Sequence, residues 1–313
     1  PNVSDDVRER VKDVIQTTGF HPNVAARTLA SQRSWMIGLV LPLSVSVFFT
    51  DPYFPHFTQG IAQACNQYDY TLGLYLFGSK EDENKIFPRI ARKGFLDGII
   101  VQVGHKGDQM IDRLLNLNIP FVVAGRPFQS DDVSYIDIDN VTAAYNAVSH
   151  LIRLGYKRIG TIAGAPDSTA GLDRKEGYLK ALHERGQVVD ETLIIDADFT
   201  EASGYYAMQQ LLTAKPDAVF VASDIMAIGA MRTVREAGLS IPEDVAIASF
   251  DDIPLARMQT PQLTTIRQPI RKFGMTAVEI LIDIIDNGSQ PTRRIIFDTE
   301  LVIRDSCGAS LRM

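Results

Sequence analysis

Cysteine and long hydrophobic runs are scarce in this chain. Its 313 residues include two cysteines, Cys65 and Cys307, which are too few for a disulfide framework, so we expect both to be reduced thiols. No apolar stretch approaches the roughly 20 residues that a membrane-spanning helix needs, and no secretory signal is present. These absences argue against a disulfide-stabilised secreted domain or a membrane protein, and they favour a cytoplasmic location.

Catalytic and metal-binding patterns are also missing. The sequence has no GxGxxG after its first predicted strand, no P-loop lysine motif, no HExxH and no GxSxG. Its histidines are scattered without metal-ligand spacing to a cysteine or a carboxylate, and each is better explained as a surface or helix-face residue. We therefore predict no enzymatic activity, no cofactor and no metal.

The chain has fewer basic than acidic residues, with 31 Lys and Arg against 38 Asp and Glu. The net charge of −7 and the isoelectric point near 5.3 argue against nucleic-acid binding over the whole surface, although a local basic site is compatible with them. The hydrophobic share of 45% and the charged share of 22% are those of an ordinary globular protein. The length leaves room for two or three domains with a sizeable core.

From residue 36 onward, the sequence contains a regular alternation of predicted strands and helices. Segments such as 98–101 and 218–221 are apolar on both faces, which is typical of a parallel sheet covered by helices. The predicted strands span residues 36–41, 70–76, 97–102, 119–124, 134–138, 158–163, 192–197, 217–222, 244–250 and 264–267. The predicted fold class is therefore α/β with doubly wound parallel sheets.

The alternating region repeats itself weakly. Residues 36–40 resemble 158–162, and residues 96–101 resemble 215–220, at an offset of about 120 residues that suits a duplicated domain rather than a solenoid. Two doubly wound lobes follow from this repeat. Ligands of such sheets bind beyond the carboxyl ends of the strands, which for two facing lobes means the cleft between them.

The first 34 residues form a different, helical piece. Residues 4–18 are predicted to form one helix that begins after the N-cap Ser4. Its apolar stripe consists of Val7, Val11, Val14 and Ile15. That stripe has nothing to pack on within so short a segment, so we expect its partner helices to precede Pro1. A second short helix is predicted after His21-Pro22-Asn23. A small helical piece joined to an α/β domain large enough to bind a ligand suggests a switch, in which one end contacts a target and the other responds to a ligand.

Polar and aromatic residues lie just past the predicted strand ends, where a ligand in the cleft would bind. Aromatic rings pack on the C–H face of a sugar while Arg and Asp side chains hydrogen-bond its hydroxyls, so this combination predicts a sugar-sized ligand. The candidates are Asp51, Tyr53, Phe54, Arg126, Arg174, Phe199, Ser223 and Asp251. Arg174 and Asp251 form the strongest pair, because opposed charges at strand ends have no obvious capping or packing role.

Simpler interpretations stay open for several of these residues and their neighbours. Asp224 is explained equally well as the N-cap of the helix that follows it, and Asp252 as a turn residue. Tyr53 and Phe54 are compatible with ordinary core positions. Arg126 is compatible with an ion pair at the surface.

Eight short segments carry a family resemblance. They span residues 3–11, 19–23, 24–30, 37–40, 51–54 (Asp-Pro-Tyr-Phe), 97–100 (Asp-Gly-Ile-Ile), 222–227 and 263–269. In this order they resemble the LacI family of bacterial transcriptional repressors, and the resemblance covers essentially the whole chain. The first two segments resemble the end of the DNA-binding headpiece and the third the hinge helix. The others resemble the effector domain, which is built like periplasmic sugar-binding proteins (type I).

The resemblance implies a homodimer whose chain is divided into four parts. They are a remnant of the helix-turn-helix headpiece (1–20), the hinge helix and linker (21–34), the N-terminal lobe of the effector domain (35–138 plus 268–298) and its C-terminal lobe (139–267 plus 299–313).

The resemblance also implies roles for single residues in the cleft. Arg174 matches the arginine that grips the effector, and Asp251 matches the aspartate that anchors it. Phe199 matches the stacking aromatic and Phe54 a residue of the cleft wall. Ser223 occupies a position where many members have Asn.

For DNA, the resemblance implies contacts from the hinge. Leu29 matches the leucine that is wedged into a kinked minor groove, where unstacking costs about a few kcal/mol that contacts with the bent duplex offset. A simpler role for Leu29 is packing against the hinge helix of the second protomer. The implied DNA-binding residues are Asn23, Ala26, Arg27 and Leu29. Because the helix that reads the major groove is not in this sequence, we expect the chain as it stands to bind operator DNA very weakly or not at all.

The predicted function is a repressor of a carbohydrate-utilisation operon that works by an order–disorder switch. A small sugar or sugar derivative changes the angle between the lobes, separates the hinge segments of the dimer and unfolds the short hinge helices that hold DNA. The competing class is a solute-binding protein for sugar uptake. A hexose, a disaccharide, a nucleoside and a phosphorylated signal all stay open as the effector.

Overall fold

The computed structural model describes residues 4–18, 33–102, 105–107, 109–128 and 132–312. The strands of the described chain are β1 (Met36–Leu41), β2 (Thr71–Leu76), β3 (Gly98–Gln102), β4 (Phe121–Ala124), β5 (Tyr135–Ile138), β6 (Ile159–Ala163), β7 (Ile194–Asp196), β8 (Ala218–Val221), β9 (Ala246–Asp251), β10 (Thr264–Arg267), β11 (Arg294–Phe297) and β12 (Glu300–Val302).

The helices cover the faces of the sheets or connect their strands. They are α1 (Asp5–Thr18), α2 (Val45–Thr50), α3 (Tyr53–Gln67), α4 (Lys80–Ile90), α5 (Met110–Leu117), α6 (Asn140–Arg153), α7 (Thr169–Glu184), α8 (Glu201–Thr213), α9 (Asp224–Glu236), α10 (Pro254–Met258), α11 (Ile270–Asn287) and α12 (Ala309–Arg312). Short 3₁₀ turns lie at Glu191–Leu193 and Asp305–Cys307.

The strands form two six-stranded sheets, one in each lobe. The first sheet has the order β11-β5-β4-β3-β1-β2 and the second the order β12-β10-β9-β8-β6-β7. All described pairs of the first sheet are parallel, whereas β12 runs antiparallel to β10 at the edge of the second. We call the first sheet with its helices the first lobe, and the second sheet with its helices the second lobe. This architecture confirms the α/β, doubly wound fold class.

The cores of both lobes follow from the apolar strands predicted from the sequence. β3 and β8 lie at central positions of the two sheets and are buried on both faces, apart from the half-buried Gln102 at the end of β3. Helix α11 returns after β10 to pack on α3 and on the first sheet, while α6, which follows β5, packs on the second sheet. The chain therefore crosses between the lobes at more than one point, and these crossings lie next to the cleft.

Most predicted strand positions are confirmed, with shifts at the ends. β4 begins at Phe121 rather than at residue 119, directly after Pro120, which has no N–H to donate to a sheet. The segment predicted as a strand over 192–197 begins as the 3₁₀ turn Glu191–Leu193 and is extended only over Ile194–Asp196. β11 and β12 were not among the ten predicted strands.

The predicted N-terminal helix is present as α1. Val7, Val11 and Val14 are all exposed, with 52% of the surface of Val11 accessible, so the apolar stripe has no partner among the described residues. The predicted hinge helix, with Asn23, Ala26, Arg27 and Leu29, lies outside the described residues.

Both cysteines are free thiols and are buried, Cys65 on α3 and Cys307 beside α6. Within the described ranges, no helix combines the length and apolar character needed to cross a membrane.

Candidate functional site

The candidate residues converge on the cleft because they lie in the turns and helices that follow the carboxyl ends of strands. Asp251 is the last residue of β9, and Arg174 lies in the second turn of α7, after β6. Asp51 ends α2, and Tyr53 begins α3. The first-lobe residues and the second-lobe residues therefore face one another across the cleft.

Arg174 lies at the centre of this group. Its guanidinium Nη1 is 3.7 Å from Asp251 Oδ1, and the two residues are only 6% and 7% exposed. Nε donates a hydrogen bond to Asn140 Oδ1 at 2.9 Å, and Nη1 donates to the carbonyl oxygen of Ala222 at 2.5 Å. Burial lowers the pKa of Arg174, while the nearby carboxylate of Asp251 opposes that change. The guanidinium is thus fixed in orientation by groups of its own lobe.

Carboxylates outnumber the arginine in this part of the cleft, with Asp137 and Asp251 buried and Asp51 half-buried. Burial raises the pKa of Asp51 to about 6, against the hydrogen bond from Tyr53 N–H and the charge of Arg174. Burial likewise raises the pKa of Asp137 to about 6 and that of Asp251 well above its ordinary range. Desolvation, which disfavours the charged form, is the main cause in all three.

Aromatic side chains border the same space. Burial and the proximity of Asp251 raise the pKa of Tyr53, so its hydroxyl stays protonated and can donate a hydrogen bond. The ring of Phe54 meets the ring of Tyr53 edge-on, with centroids 5.3 Å apart. The guanidinium carbon of Arg174 lies 5.9 Å from the ring centroid of Phe199 and 3.7 Å from that of Phe250. Phe54 and Tyr53 are only half-buried, which leaves them accessible to a ligand.

Phe199 is held in an unusual conformation. Its φ angle is +66°, in the left-handed region that bulky residues seldom adopt. Its ring lies directly over Gly164, where an added Cβ would fall 2.0 Å from the ring. Glycine at position 164 therefore makes room for the aromatic ring at this end of the cleft.

Arg126 does pair with a carboxylate, but the partner belongs to the other lobe. Its Nη2 lies 2.5 Å from Asp173 Oδ1 on α7, and its carbonyl oxygen accepts a hydrogen bond from Thr169 Oγ1 at 2.9 Å. Further along the rim, Lys106 N–H donates to the carbonyl oxygen of Asp167 at 2.7 Å. The expected surface ion pair is thus a contact that joins the two lobes.

The interpretation of Asp224 as the N-cap of α9 is wrong. The N-cap is Ser223, whose hydroxyl accepts a hydrogen bond from Met226 N–H at 3.3 Å. Asp224 is fully buried and accepts hydrogen bonds from Ser249 Oγ, from Thr265 Oγ1 at 2.7 Å and from Ile253 N–H at 2.9 Å. A one-residue shift of the cap turns this carboxylate inward, where it ties β9 and β10 together.

Asp252 is more than a turn residue. Its side chain is 1% exposed and lies 2.5 Å from Arg304, 2.6 Å from Arg267 and 3.4 Å from Arg257. Burial alone would raise the pKa of Asp252, but the hydrogen bonds from Arg304 and Arg267 outweigh it and hold the pKa below its usual value. Asp252 thus fastens the strands next to Asp251.

Four cleft residues were missed by sequence reasoning. Asp137 is the last but one residue of strand β5, and Asn140 bridges Asp137 and Arg174. Gln268 Nε2 donates to Asp251 Oδ1 at 2.6 Å, and Asp173 faces Arg126. A polar residue at the end of an apolar strand was a usable signal for Asp137, whereas nothing local marks Gln268, which reaches Asp251 only in the folded chain.

The described part of the chain holds no group of three or more His, Cys, Asp or Glu side chains placed to bind a metal ion. What the cleft offers instead is a fixed guanidinium, several carboxylates, a tyrosine hydroxyl and aromatic faces. Such groups bind a polar organic ligand by hydrogen bonds and ring packing.

Comparison with known proteins agrees with this geometry. Residues 148–307 match the periplasmic binding protein-like domain family. The HTH-type transcriptional regulator CelR of Thermobifida fusca is 35% identical over 308 residues, which cover 97% of this chain and 90% of that protein.

Two solved structures extend the comparison. The transcriptional regulator CelR–cellobiose complex superimposes with a TM-score of 0.85 at 33% identity, covering 97% of this chain and 92% of the other. A putative transcriptional regulator LacI from Bacillus cereus subsp. cytotoxis NVH 391-98 gives a TM-score of 0.83 at 30% identity, covering 87% and 98%. From the sequence matches and the shared two-lobed architecture, this chain belongs to the LacI family of transcriptional regulators.

Proposed function

We propose that this transcriptional regulator is controlled by a neutral sugar, which binds in the cleft between the lobes and changes its affinity for operator DNA. The observation that carries the proposal is the buried Arg174–Asp251 pair, which lies at the strand ends and has aromatic rings beside it. The similarity of this chain to the CelR–cellobiose complex, which covers 97% of the chain, supports a saccharide as the ligand.

The charges of the cleft narrow the ligand class. Three carboxylates surround the guanidinium of Arg174: the buried Asp137 and Asp251 and the half-buried Asp51. The other nearby arginine, Arg126, is paired with Asp173. A phosphorylated or acidic ligand would add negative charge to a site that already has an excess. A neutral polyol instead supplies hydroxyl donors to the carboxylates and an acceptor to the guanidinium. We therefore favour a hexose or a disaccharide over a phosphorylated signal.

We assign the ligand contacts to residues of both lobes. From the first lobe these are Asp51, Tyr53 and Phe54, with Asp137 added by its position in the structure. From the second lobe they are Arg174, Phe199, Ser223 and Asp251. Arg126 is assigned to closure of the lobes as well as to the ligand, since its charge is already paired with Asp173.

The remaining assignments follow from the family. We propose that residues 35–138 with 268–298 and residues 139–267 with 299–313 are the two lobes of the effector domain, and that 1–20 and 21–34 belong to the DNA-binding piece and its hinge. Operator contacts would come from Asn23, Ala26, Arg27 and Leu29 of a homodimer acting in the cytoplasm. We propose no enzymatic role, because the relatives are transcriptional regulators. The same relatives, together with helix α1 ahead of the lobes, favour regulation over a solute-binding role in uptake.

The test is a thermal-unfolding screen of neutral sugars, with cellobiose first. A ligand at 100 times its Kd stabilises the folded state by about 2.7 kcal/mol, which raises the Tm by several degrees. Arg174→Ala is expected to abolish that rise because the fixed guanidinium is lost. Arg174→Lys, which keeps the charge but not the two-pronged geometry, serves if the alanine variant does not fold.

The matched control is Arg232→Ala, which removes an exposed arginine of α9 that pairs with Glu236 on the same helix. This variant is expected to show the full rise in Tm. An unchanged rise in a folded Arg174 variant would show that the cleft assignment is wrong. A screen in which phosphorylated sugars stabilise the protein and neutral ones do not would overturn the ligand class.

A further inference from the structure

The carboxylate of Asp97 binds the chain at the point where it enters the first lobe. Asp97 Oδ1 accepts hydrogen bonds from Ser34 N–H at 2.7 Å and from Ser34 Oγ at 2.8 Å. Asp97 Oδ2 accepts a further hydrogen bond from Trp35 N–H at 2.9 Å. Hydrogen bonds to a charged acceptor are stronger than those between neutral groups, so three of them hold this short segment firmly.

Side chains of the same segment reinforce the attachment. The ring of Trp35 lies 5.4 Å from that of Tyr70, and the guanidinium carbon of Arg33 lies 5.7 Å from the Trp35 ring centroid. Arg33 Nη2 in turn lies 2.5 Å from Asp286 Oδ1 near the end of α11. We call Arg33, Ser34, Trp35, Asp97 and Asp286 the linker anchor.

The backbone at Trp35 shows that the anchor imposes a direction on the chain. Its φ angle is +56°, in the left-handed region that is unfavourable for a bulky residue. Such a conformation persists only where surrounding contacts hold it in place. The hydrogen bond from Trp35 N–H to Asp97 and the one from Thr71 N–H to the Trp35 carbonyl oxygen at 2.8 Å supply those contacts. The bend at Trp35 therefore sets the direction in which the chain at Arg33 and Ser34 enters the lobe.

The second lobe repeats this arrangement without a linker. Asp217, at the start of β8, accepts hydrogen bonds from Lys157 N–H at 2.8 Å and from Arg158 N–H at 2.9 Å. Its own N–H donates to the Arg158 carbonyl oxygen at 3.0 Å, as Asp97 N–H donates to Met36 at 2.9 Å. The segment that Asp217 binds, Lys157 and Arg158, follows α6 of the same lobe. Asp217 therefore makes the same kind of backbone hydrogen bonds as Asp97, but it does not lie next to the linker.

We propose that Asp97 is a positioning residue for DNA binding: it fixes the direction in which the linker leaves the first lobe, so that movement of the lobe is passed to the DNA-binding piece. The inference rests on the proposed function for what the linker carries. The local geometry, by contrast, is a property of this chain alone. Without Asp97 the segment keeps its covalent connection but loses its fixed direction.

Asp97→Asn and Asp217→Asn form a matched pair for the test, because each replaces a half-buried aspartate that caps the entry of a strand. In this chain, hydrogen exchange of the Ser34 and Trp35 amides is expected to accelerate about tenfold or more in Asp97→Asn and to stay unchanged in Asp217→Asn. In a chain that carries a complete DNA-binding headpiece, Asp97→Asn is expected to weaken binding about tenfold or more to a DNA site that the wild-type protein selects from a random pool. Asp217→Asn is expected to keep wild-type affinity, and both variants to keep the wild-type affinity for cellobiose.

Three results would overturn the proposal: unchanged exchange at both amides of Asp97→Asn, wild-type DNA affinity in that variant, or an equal loss in Asp217→Asn. The last result would mean that general destabilisation explains the effect. Failure of the wild-type protein to select any DNA site would overturn the proposed function instead. In that case, the exchange comparison still decides whether Asp97 holds the linker.

Discussion

Among single residues, the cleft contains carboxyl groups whose ionisation lowers the free energy of unfolding. Asp137 is buried within β5, and burial raises its pKa to about 6, from an ordinary value of about 4. Between about pH 4 and pH 6 the folded chain therefore binds a proton at Asp137 that the unfolded chain releases. Since a group with a raised pKa opposes folding once it is ionised, the contribution of Asp137 to stability falls as the pH rises through this window.

Asp137→Asn is expected to remove this penalty. The free energy of unfolding at pH 8 should rise by about 1–2 kcal/mol, and its decline between about pH 4 and pH 6 should become shallower. Denaturant unfolding at a series of pH values measures both quantities. The exposed Asp298→Asn serves as the control and is expected to leave the profile unchanged. If the free energy of unfolding of wild type and Asp137→Asn depended on pH in the same way, the raised pKa of Asp137 would be contradicted.

At the scale of elements, glycines decide how closely the paired helices approach. A Cβ at Gly60 on α3 would lie 2.1 Å from the carbonyl oxygen of Arg271, and one at Gly274 on α11 would lie 2.4 Å from that of Phe57. The second lobe has the same arrangement between α8 and α9. A Cβ at Gly204 on α8 or at Gly229 on α9 would lie 2.1 Å from a backbone carbonyl oxygen of the other helix. Backbone atoms cannot move aside as a side chain can, so these crossings require glycine.

Gly60→Ala is therefore expected to destabilise the protein, although alanine is the better helix former. The overlap with Arg271 forces α3 and α11 apart, at a cost of about 1–3 kcal/mol or more for overpacking. Gln67→Ala, on the exposed part of α3, is the control and is expected to change stability by less than about 0.5 kcal/mol. Chemical denaturation gives both values. Equal stability of Gly60→Ala and wild type would show that the helices are not in backbone contact.

Over the whole molecule, a few direct contacts join the two lobes across the cleft. Arg126 and Asp173 pair across it at 2.5 Å with side-chain exposures of 43% and 12%, and the Thr169 hydroxyl bonds to Arg126. A partly exposed pair of this kind contributes about 1 kcal/mol at most, or roughly a fivefold change in the ratio of closed to open molecules. This is a small bias, of the size that a ligand can reverse or reinforce.

Asp173→Asn is expected to shift the sugar-free protein towards the open form. Small-angle X-ray scattering should show a larger radius of gyration than for wild type, because the lobes separate when the pair is weakened. Glu236→Gln breaks a surface pair with Arg232 inside the second lobe and is expected to leave the scattering unchanged. Superimposable curves for wild type and Asp173→Asn would mean that the pair does not hold the lobes together.

Features that depend on the residue types within a short segment could be predicted from the local sequence. Doubly apolar segments such as 98–101 gave the buried parallel strands, because a strand covered on both faces has no polar side to present. The pairing of Arg174 with Asp251 was also predictable, since strand ends of parallel sheets meet at one edge. The position of the cap at Ser223 was not, because Ser and Asp are equally good N-caps and only the bonds of Asp224 to β9 and β10 decide between them.

The α/β class and the duplicated body could be predicted without a structure, because both follow from hydrophobic periodicity and the order of the strands. Three contacts are visible only in the folded chain: Arg126 with Asp173, Gln268 with Asp251, and Asp97 with the Trp35 N–H. These contacts join residues that are 17 to 62 positions apart, and no local pattern encodes a partner at such a distance. Burial, which raises the pKa values of the cleft carboxylates, likewise exists only once both lobes are folded.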